Sequence, residues 1–303
     1  MMKLRTFAGL LCAVALLAFA SPVRAQSVLW VSADGSDGNA CSQTSPCATF
    51  AGAIAKGNVA QINCLTSGNY GGPFTITASI TIDCGTGNIG NVSTGQGDTT
   101  AIAINASAGA TVVLRHLSLN GQGTTYGIND NSGNGTLIVE DCTVQGFGYG
   151  ILFASATANR GLLQVTNSRI FGASFGIEVI PASGQIDSVM LNRVELIGNE
   201  YGLNMGGNGV VAGTMRHSMV VENGYGIAAT GQIYFTVEES SIIDNSTGIL
   251  VNSPASTIAV GATTIGGNGA GVQVVGGSLI SFGNNQMSTN GNNGIFTSTT
   301  ALQ

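Results

Sequence analysis

Charge is what this chain has least of. Charged residues make up 8 % of its 303 positions, against roughly a quarter in ordinary soluble domains. Bases are scarcest: beyond residue 25 only Lys56, Arg115, Arg160, Arg169, Arg193 and Arg216 stand against fifteen acids, a balance of −9. Nothing here can line up enough cations to neutralise a run of phosphates, which argues against nucleic acid as a partner. Acidic polysaccharide would be repelled as well unless a cation bridged the two. Helical spacing is missing except in one short stretch, so leucine-rich and other helix-bearing repeats do not fit. Long apolar runs are confined to the start, and no membrane span is expected after it. Histidine is limited to His116 and His217. The cysteine spacings match no zinc pattern, and the Met, His or Cys clusters that copper would need are absent. No cofactor or metal is called for.

What is present begins with an export signal. Lys3 and Arg5 precede an apolar run from Ala8 to Ala20, and Val23-Arg24-Ala25 forms a small-residue cleavage site before Gln26. Residues 1–25 are therefore expected to be removed, leaving a secreted or periplasmic protein with an N-terminal strand and capping helix (26–58) and a repeat domain (59–303). Cys12 leaves with the signal. In an oxidising compartment Cys41, Cys47, Cys64 and Cys84 can form two bridges. The sequence leaves the connectivity open, with Cys41–Cys47 and Cys64–Cys84 favoured because both staple the N-terminal region. Cys142 falls at a small inward position of the repeat and is expected to be a buried free thiol.

The repeat decides the fold class. Segments 194–205 (VELIGNEYGLNM), 219–229 (MVVENGYGIAA) and 241–251 (SIIDNSTGILV) are copies of one unit of 22 to 26 residues. A Gly before an aliphatic residue recurs at Gly127, Gly150, Gly176, Gly202, Gly226, Gly248, Gly271 and Gly294. A second apolar marker recurs at Leu114, Val139, Val165, Leu191, Met215, Val237, Val260 and Phe282. A third follows it by five residues, from Leu119 to Met287. Three aliphatic columns per unit imply three short strands per coil, hence an all-β, single-stranded parallel β-helix. The span between the Gly-aliphatic strand and the next marker varies, while the other two connections are constant. One turn is elastic and two are fixed.

Other columns obey the same register. Asn199, Asn223, Asn245, Asn268 and Asn290 recur eight residues after the second marker; Asn suits turn geometry and can bond its copy one coil away. Arg115-His116 falls beside Glu140-Asp141, Arg216-His217 beside Glu238-Glu239, and Arg169 beside Glu195. These resemble catalytic acid–base sets until stacked, when they become cross-strand ion pairs. Residues 45–57 carry the one helical signal, with Ser45 as cap and Gly57 as stop, placed to plug the first coil. The closing STTALQ offers no plug, leaving the tail itself or a partner to close that end.

Ser45-Pro46-Cys47-Ala48-Thr49-Phe50 with its helix, Ile80-Thr81-Ile82-Asp83-Cys84 and the Asn-x-x-Gly-Ile coils resemble the pectin-lyase-like superfold, in particular its secreted right-handed β-helix repeat proteins. That resemblance implies a right-handed solenoid and admits lyases, hydrolases, esterases, epimerases, adhesins and tailspikes, so it assigns no activity. The Gly-His-Gly and Arg-Ile-Lys signatures of polygalacturonase-like enzymes do not occur. Scattered candidates for a lyase or hydrolase site are Arg160, Glu178 and Asp187, the first and last on the elastic turn and Glu178 on the outward column of the Gly-Ile strand. A second feature points to binding. The residue before the repeat Gly is Tyr126, Tyr149, Phe175, Tyr201 and Tyr225 in five successive coils, then Thr247, Ala270 and Asn293. Stacked, they would form an aromatic ladder whose rings and polar tips suit sugars. The leading expectation is a non-catalytic binder of polysaccharide or cell-surface glycan; the rivals are a polysaccharide lyase or glycoside hydrolase, and a structural envelope protein.

Overall fold

A computed structural model of the protein describes residues 27–132, 135–154 and 160–300; the expected signal, 1–25, lies outside them. The described chain winds into an all-β parallel solenoid of about nine turns. Each regular coil carries three strands, and the pairings between coils are parallel, unbroken in register from Arg160 to Glu238. Arg160–Thr166, Ile186–Asn192, Val210–Arg216 and Gln232–Glu238 belong to the first face. Arg169–Phe171, Glu195–Ile197, Met219–Val221 and Ser241–Ile243 form the second. Phe175–Val179, Tyr201–Met205 and Tyr225–Ala229 form the third.

The three aliphatic columns become the core because alternate residues of a strand face the same way. Val139, Val165, Leu191, Met215, Val237 and Val260 stack on the first face. Val144, Ile170, Leu196, Val220, Ile242 and Ile265 stack on the second. Ile151, Ile177, Leu203, Ile227, Ile249 and Val272 stack on the third. All are buried, and each contributes about 1.5–3 kcal/mol of apolar burial.

The two fixed turns are fixed because each holds one residue in the left-handed region per coil. Between the first and second faces these are His116, Asp141, Asn167, Arg193, His217, Glu239 and Ala262, with φ from +47° to +54°. Between the second and third they are Gly146, Gly172, Gly198, Glu222, Asp244, Gly267 and Thr289. Close approach, rather than φ, demands the repeat glycine itself: a Cβ on Gly176 would lie 2.6 Å from the Gly202 carbonyl oxygen and 3.1 Å from the Asn199 amide nitrogen.

Both ends are closed from within. Ser27–Val31 opens the first coil and pairs with Val59–Cys64. A short helix, Phe50–Ile54, then covers the core's mouth, with the buried Phe50 ring 5.1 Å from Tyr70 and 5.6 Å from Phe74. Its cap is Thr49 rather than Ser45: the Thr49 hydroxyl accepts from the Gly52 N–H. Cys47 N–H donates to the Trp30 carbonyl and Val31 bridges Cys47, so the chain is still extended there and a helix cannot start earlier. Disulfides join Cys41 to Cys47 and Cys64 to Cys84, and Cys142 is a buried free thiol. At the far end Ser298–Thr299 returns onto Ile280 and Ser281, and Phe296 packs against the core.

The last coil departs from the expected register. Ser281, not Phe282, pairs with Val260, and Phe282 is only half-buried. Ala270 bridges Asn292, not Asn293, and Gly294 comes opposite Val272 instead of Gly271. Among the described residues no helix is long and apolar enough to cross a membrane.

Candidate functional site

The two fixed turns make two long edges with opposite chemistry. On the charged edge, between the first and second faces, every acid meets an arginine or a histidine one coil away. Arg115 Nε lies 2.7 Å from Glu140 and Arg169 Nε 3.5 Å from Glu195. Arg216 pairs with Glu238, and His217 Nε2 lies 2.7 Å from Glu239. Asp83, which precedes the regular coils, joins this set. His116 Nδ1 is 2.8 Å from Asp83 and its Nε2 is 3.8 Å from Asp141, while Arg115 reaches Asp83 at 4.0 Å. Inside this edge runs a hydroxyl ladder: Ser218 N–H donates to the Ser240 hydroxyl, and Ser240 N–H to that of Thr263. Cys142 occupies the same column and donates its S–H to the Glu140 carbonyl. Burial pushes its thiol up to about 12.

The aromatic edge lies between the second and third faces. Its interior is the asparagine ladder, buried from Asn199 to Asn268. The Asn223 side-chain amide donates to Asn245 Oδ1 at 2.9 Å, and Asn245 to Asn268 Oδ1 at 2.9 Å. Each of these amides also donates to backbone carbonyls of its own coil and the preceding one.

Outside stand the five aromatics. Tyr126, Tyr149, Phe175, Tyr201 and Tyr225 pair in register across five coils. Successive ring centroids are 5.1, 4.9, 5.0 and 4.9 Å apart, with interplanar angles of 23°, 7°, 8° and 13°. All five are half-buried. Rings touching at about 3.5–4 Å with such centroid spacings are slipped by about 3–3.5 Å. They overlap like tiles, each leaving part of a face and its outer rim uncovered. Partial burial raises the phenol pKa of Tyr149, and the Glu178 charge adds to it. Tyr201 is raised by burial first, then by Tyr225 and Glu200. Beside the ladder runs an open groove of about 580 Å³ lined by Gly123, Gly146, Gly172, Gly198, Ser174 and Glu200, among others. Glycine dominates its lining because the left-handed turn residue is glycine in these coils.

The three candidates for catalysis do not share an environment. Arg160 is exposed at the start of its first-face strand. Asp187 was expected on the wall of the elastic turn; it is fully buried, between Gly161 and Val211 on an inward column. The elastic turn ends at Gln185, earlier than the spacing implied, and the strand from Ile186 draws Asp187 into the core. Glu178 does sit on the outward column with Leu152, Asn204, Ala228 and Leu250, yet it is only 9 % exposed. Burial raises its pKa, and a hydrogen bond from Asn204 at 3.0 Å partly offsets the shift. Among the described residues no group of three or more His, Cys, Asp or Glu is arranged to hold a metal ion.

Comparison with known proteins bears on the scaffold. The family described as "Right handed beta helix region" matches residues 157–302. The crystal structure of pectate lyase Pel9A aligns over 89 % of this chain and 79 % of its own, at 16 % identity and a TM-score of 0.57. The likeness is one of fold: a right-handed parallel β-helix. The A-module of the Azotobacter vinelandii mannuronan C-5 epimerase AlgE4 aligns over 89 % of this β-helix and 96 % of its own chain, at 14 % identity and a TM-score of 0.38. For the AlgE6 A-module the figures are 83 %, 89 %, 12 % and 0.38. No curated protein matches this sequence. Likeness at these identities is one of fold and assigns no activity. The two disulfides, with this fold, point to an extracellular protein.

Proposed function

We propose that this β-helix is exported by cleavage after residue 25 and binds glycan, without turning it over, along the ladder from Tyr126 to Tyr225. The observation that carries the reading is the ladder itself: five half-exposed rings in unbroken register beside a groove lined largely by glycine. Sugar C–H faces pack against aromatic surface, and the four phenol hydroxyls offer hydrogen bonds at the rim. Rings already stacked on one another lose little rotamer freedom when a ligand arrives, which favours binding. The expected ligand lies along the solenoid axis and spans several coils.

The test compares the native protein with a Tyr149→Ala/Tyr201→Ala variant on immobilised polysaccharides. Binding by the native protein and a loss of about tenfold or more in the variant is expected. Unchanged binding in the variant, or no binding at all, removes the ladder as a site. Release of unsaturated or reducing-end products would replace the reading with a catalytic one.

A further inference from the structure

Eleven of the fifteen acids border one or other of the two edges, and their partners differ between them. On the charged edge Asp83, Glu140, Glu195 and Glu238 face arginines, and Asp141 and Glu239 face histidine ring nitrogens. Five others border the aromatic edge. Asp98 lies in the loop before Thr100, the residue stacked on Tyr126. Glu178 shares the outward face of the ladder strands, Glu200 directly precedes Tyr201, and Glu222 and Asp244 are the turn residues three positions before Tyr225 and Thr247. Among the described residues none of these five is in an ion pair, and no Lys or Arg occupies a turn or ladder position of this edge. Of the cations nearest in sequence, Arg216 pairs with Glu238, Arg169 lies over the Phe171 ring and pairs with Glu195, and Arg193 is a turn residue of the charged edge.

We infer that the ladder binds a glycan bearing free amines, a polymer of amino sugars in its ammonium form. This rests on the reading of the ladder as a glycan site and adds the ligand's charge to it. Ammonium groups satisfy unpaired carboxylates and also sit well against the faces and rims of tyrosine rings. Uronate polymers meet the same carboxylates with like charge and are rejected. Glu200 and Glu178 already influence ladder phenols across space, so a charge carried by a ligand on those rings lies within their reach.

The experiment measures retention of the full chain on four supports: a glucosamine polymer, its fully N-acetylated form, a neutral glucan and polygalacturonate. Three variants accompany the native protein. Glu200→Gln/Glu222→Gln removes two charges beside the ladder. Glu195→Gln/Glu239→Gln removes two from the opposite edge and matches the net charge. Tyr149→Ala/Tyr201→Ala breaks the ladder. The expected result is affinity for the glucosamine polymer at least about tenfold above the other three, weakened by salt. It falls about three- to tenfold in the ladder-edge charge variant and is almost unchanged in the opposite-edge one. Equal losses in both charge variants mean that net charge alone attracts the polymer, and overturn the inference. Equal or tighter binding of the acetylated, neutral or uronate polymer overturns it too, yet leaves the glycan site standing if the ladder variant still fails to bind. Full binding by the ladder variant sinks the site itself.

Discussion

The charged edge and the aromatic edge are built on one scaffold with the same two ingredients, a left-handed turn residue and an internal hydrogen-bonded ladder. They differ in what fills those positions. The charged edge uses short hydroxyls inside and long ionic side chains outside, and its acids already face arginine or histidine one coil away. The aromatic edge uses asparagine inside and rings outside, with glycine turns that open a groove and carboxylates that find no cation. An edge that satisfies itself gives a partner little to gain. An edge that leaves charge unmatched and ring surface half-covered keeps binding energy in reserve.

The comparison can be strained first at the ladders. Asn245 gives its amide to Asn268, Val220 and Ile243 and accepts from both the backbone and the side chain of Asn223. Asn245→Ala is expected to lose about 2–4 kcal/mol in urea unfolding, since buried donors are left without acceptors. Ser240→Ala removes one donated and one accepted bond and should cost about 1–2 kcal/mol. Equal costs would mean that the asparagine ladder has no special part in holding the aromatic edge.

Smaller effects follow on the charged edge. Arg216→Ala breaks a pair whose Arg side chain is about half exposed, so a loss of about 0.2–1 kcal/mol is expected, vanishing in high salt. Cys142→Ser should fold with almost unchanged stability, because Ser218 and Ser240 in its column bond the carbonyl two residues back as the thiol does. With its pKa near 12, Cys142 should resist iodoacetamide at pH 8 until the protein unfolds. Rapid labelling of the native fold would show that the column opens.

The smallest effect has the opposite sign. The folded state raises the Glu178 pKa, so its ionised form costs stability at neutral pH. That cost is relieved as pH falls through the raised value toward the ordinary carboxylate range. Glu178→Gln should therefore raise Tm by about 1–3 °C at pH 7 and lose that advantage under acid. A lower Tm at pH 7 would show that the charge is stabilised by something on its own face.

Much of this was legible from spacing alone. The core columns, the asparagine ladder, the ion pairs of Arg115, Arg169 and Arg216, and the ladder from Tyr126 to Tyr225 follow from a register that repeats every coil; the two disulfides are those favoured among pairings that spacing alone left open. Legibility failed where the repeat slackens. Gly294 and Phe282 mimic the repeat residues one position out of phase, because the final coil has only the returning tail above it. Asp187 reads as a loop acid, and only the actual end of the elastic turn shows that it faces inward. Asp83 was missed as the partner of His116 because it precedes the regular coils. The unmatched charge of the aromatic edge could not be seen in composition, since it emerges only when each acid is assigned to its edge.

The six tyrosines allow the most direct test. Four belong to the ladder, while Tyr70 is buried at the plugged end and Tyr234 is exposed on the first face. With tyrosine labelled selectively for NMR, titration with a glucosamine oligosaccharide should shift the resonances of Tyr126, Tyr149, Tyr201 and Tyr225 and leave Tyr70 and Tyr234 in place. Shifts confined to Tyr234, or none at all at saturating ligand, would contradict the account.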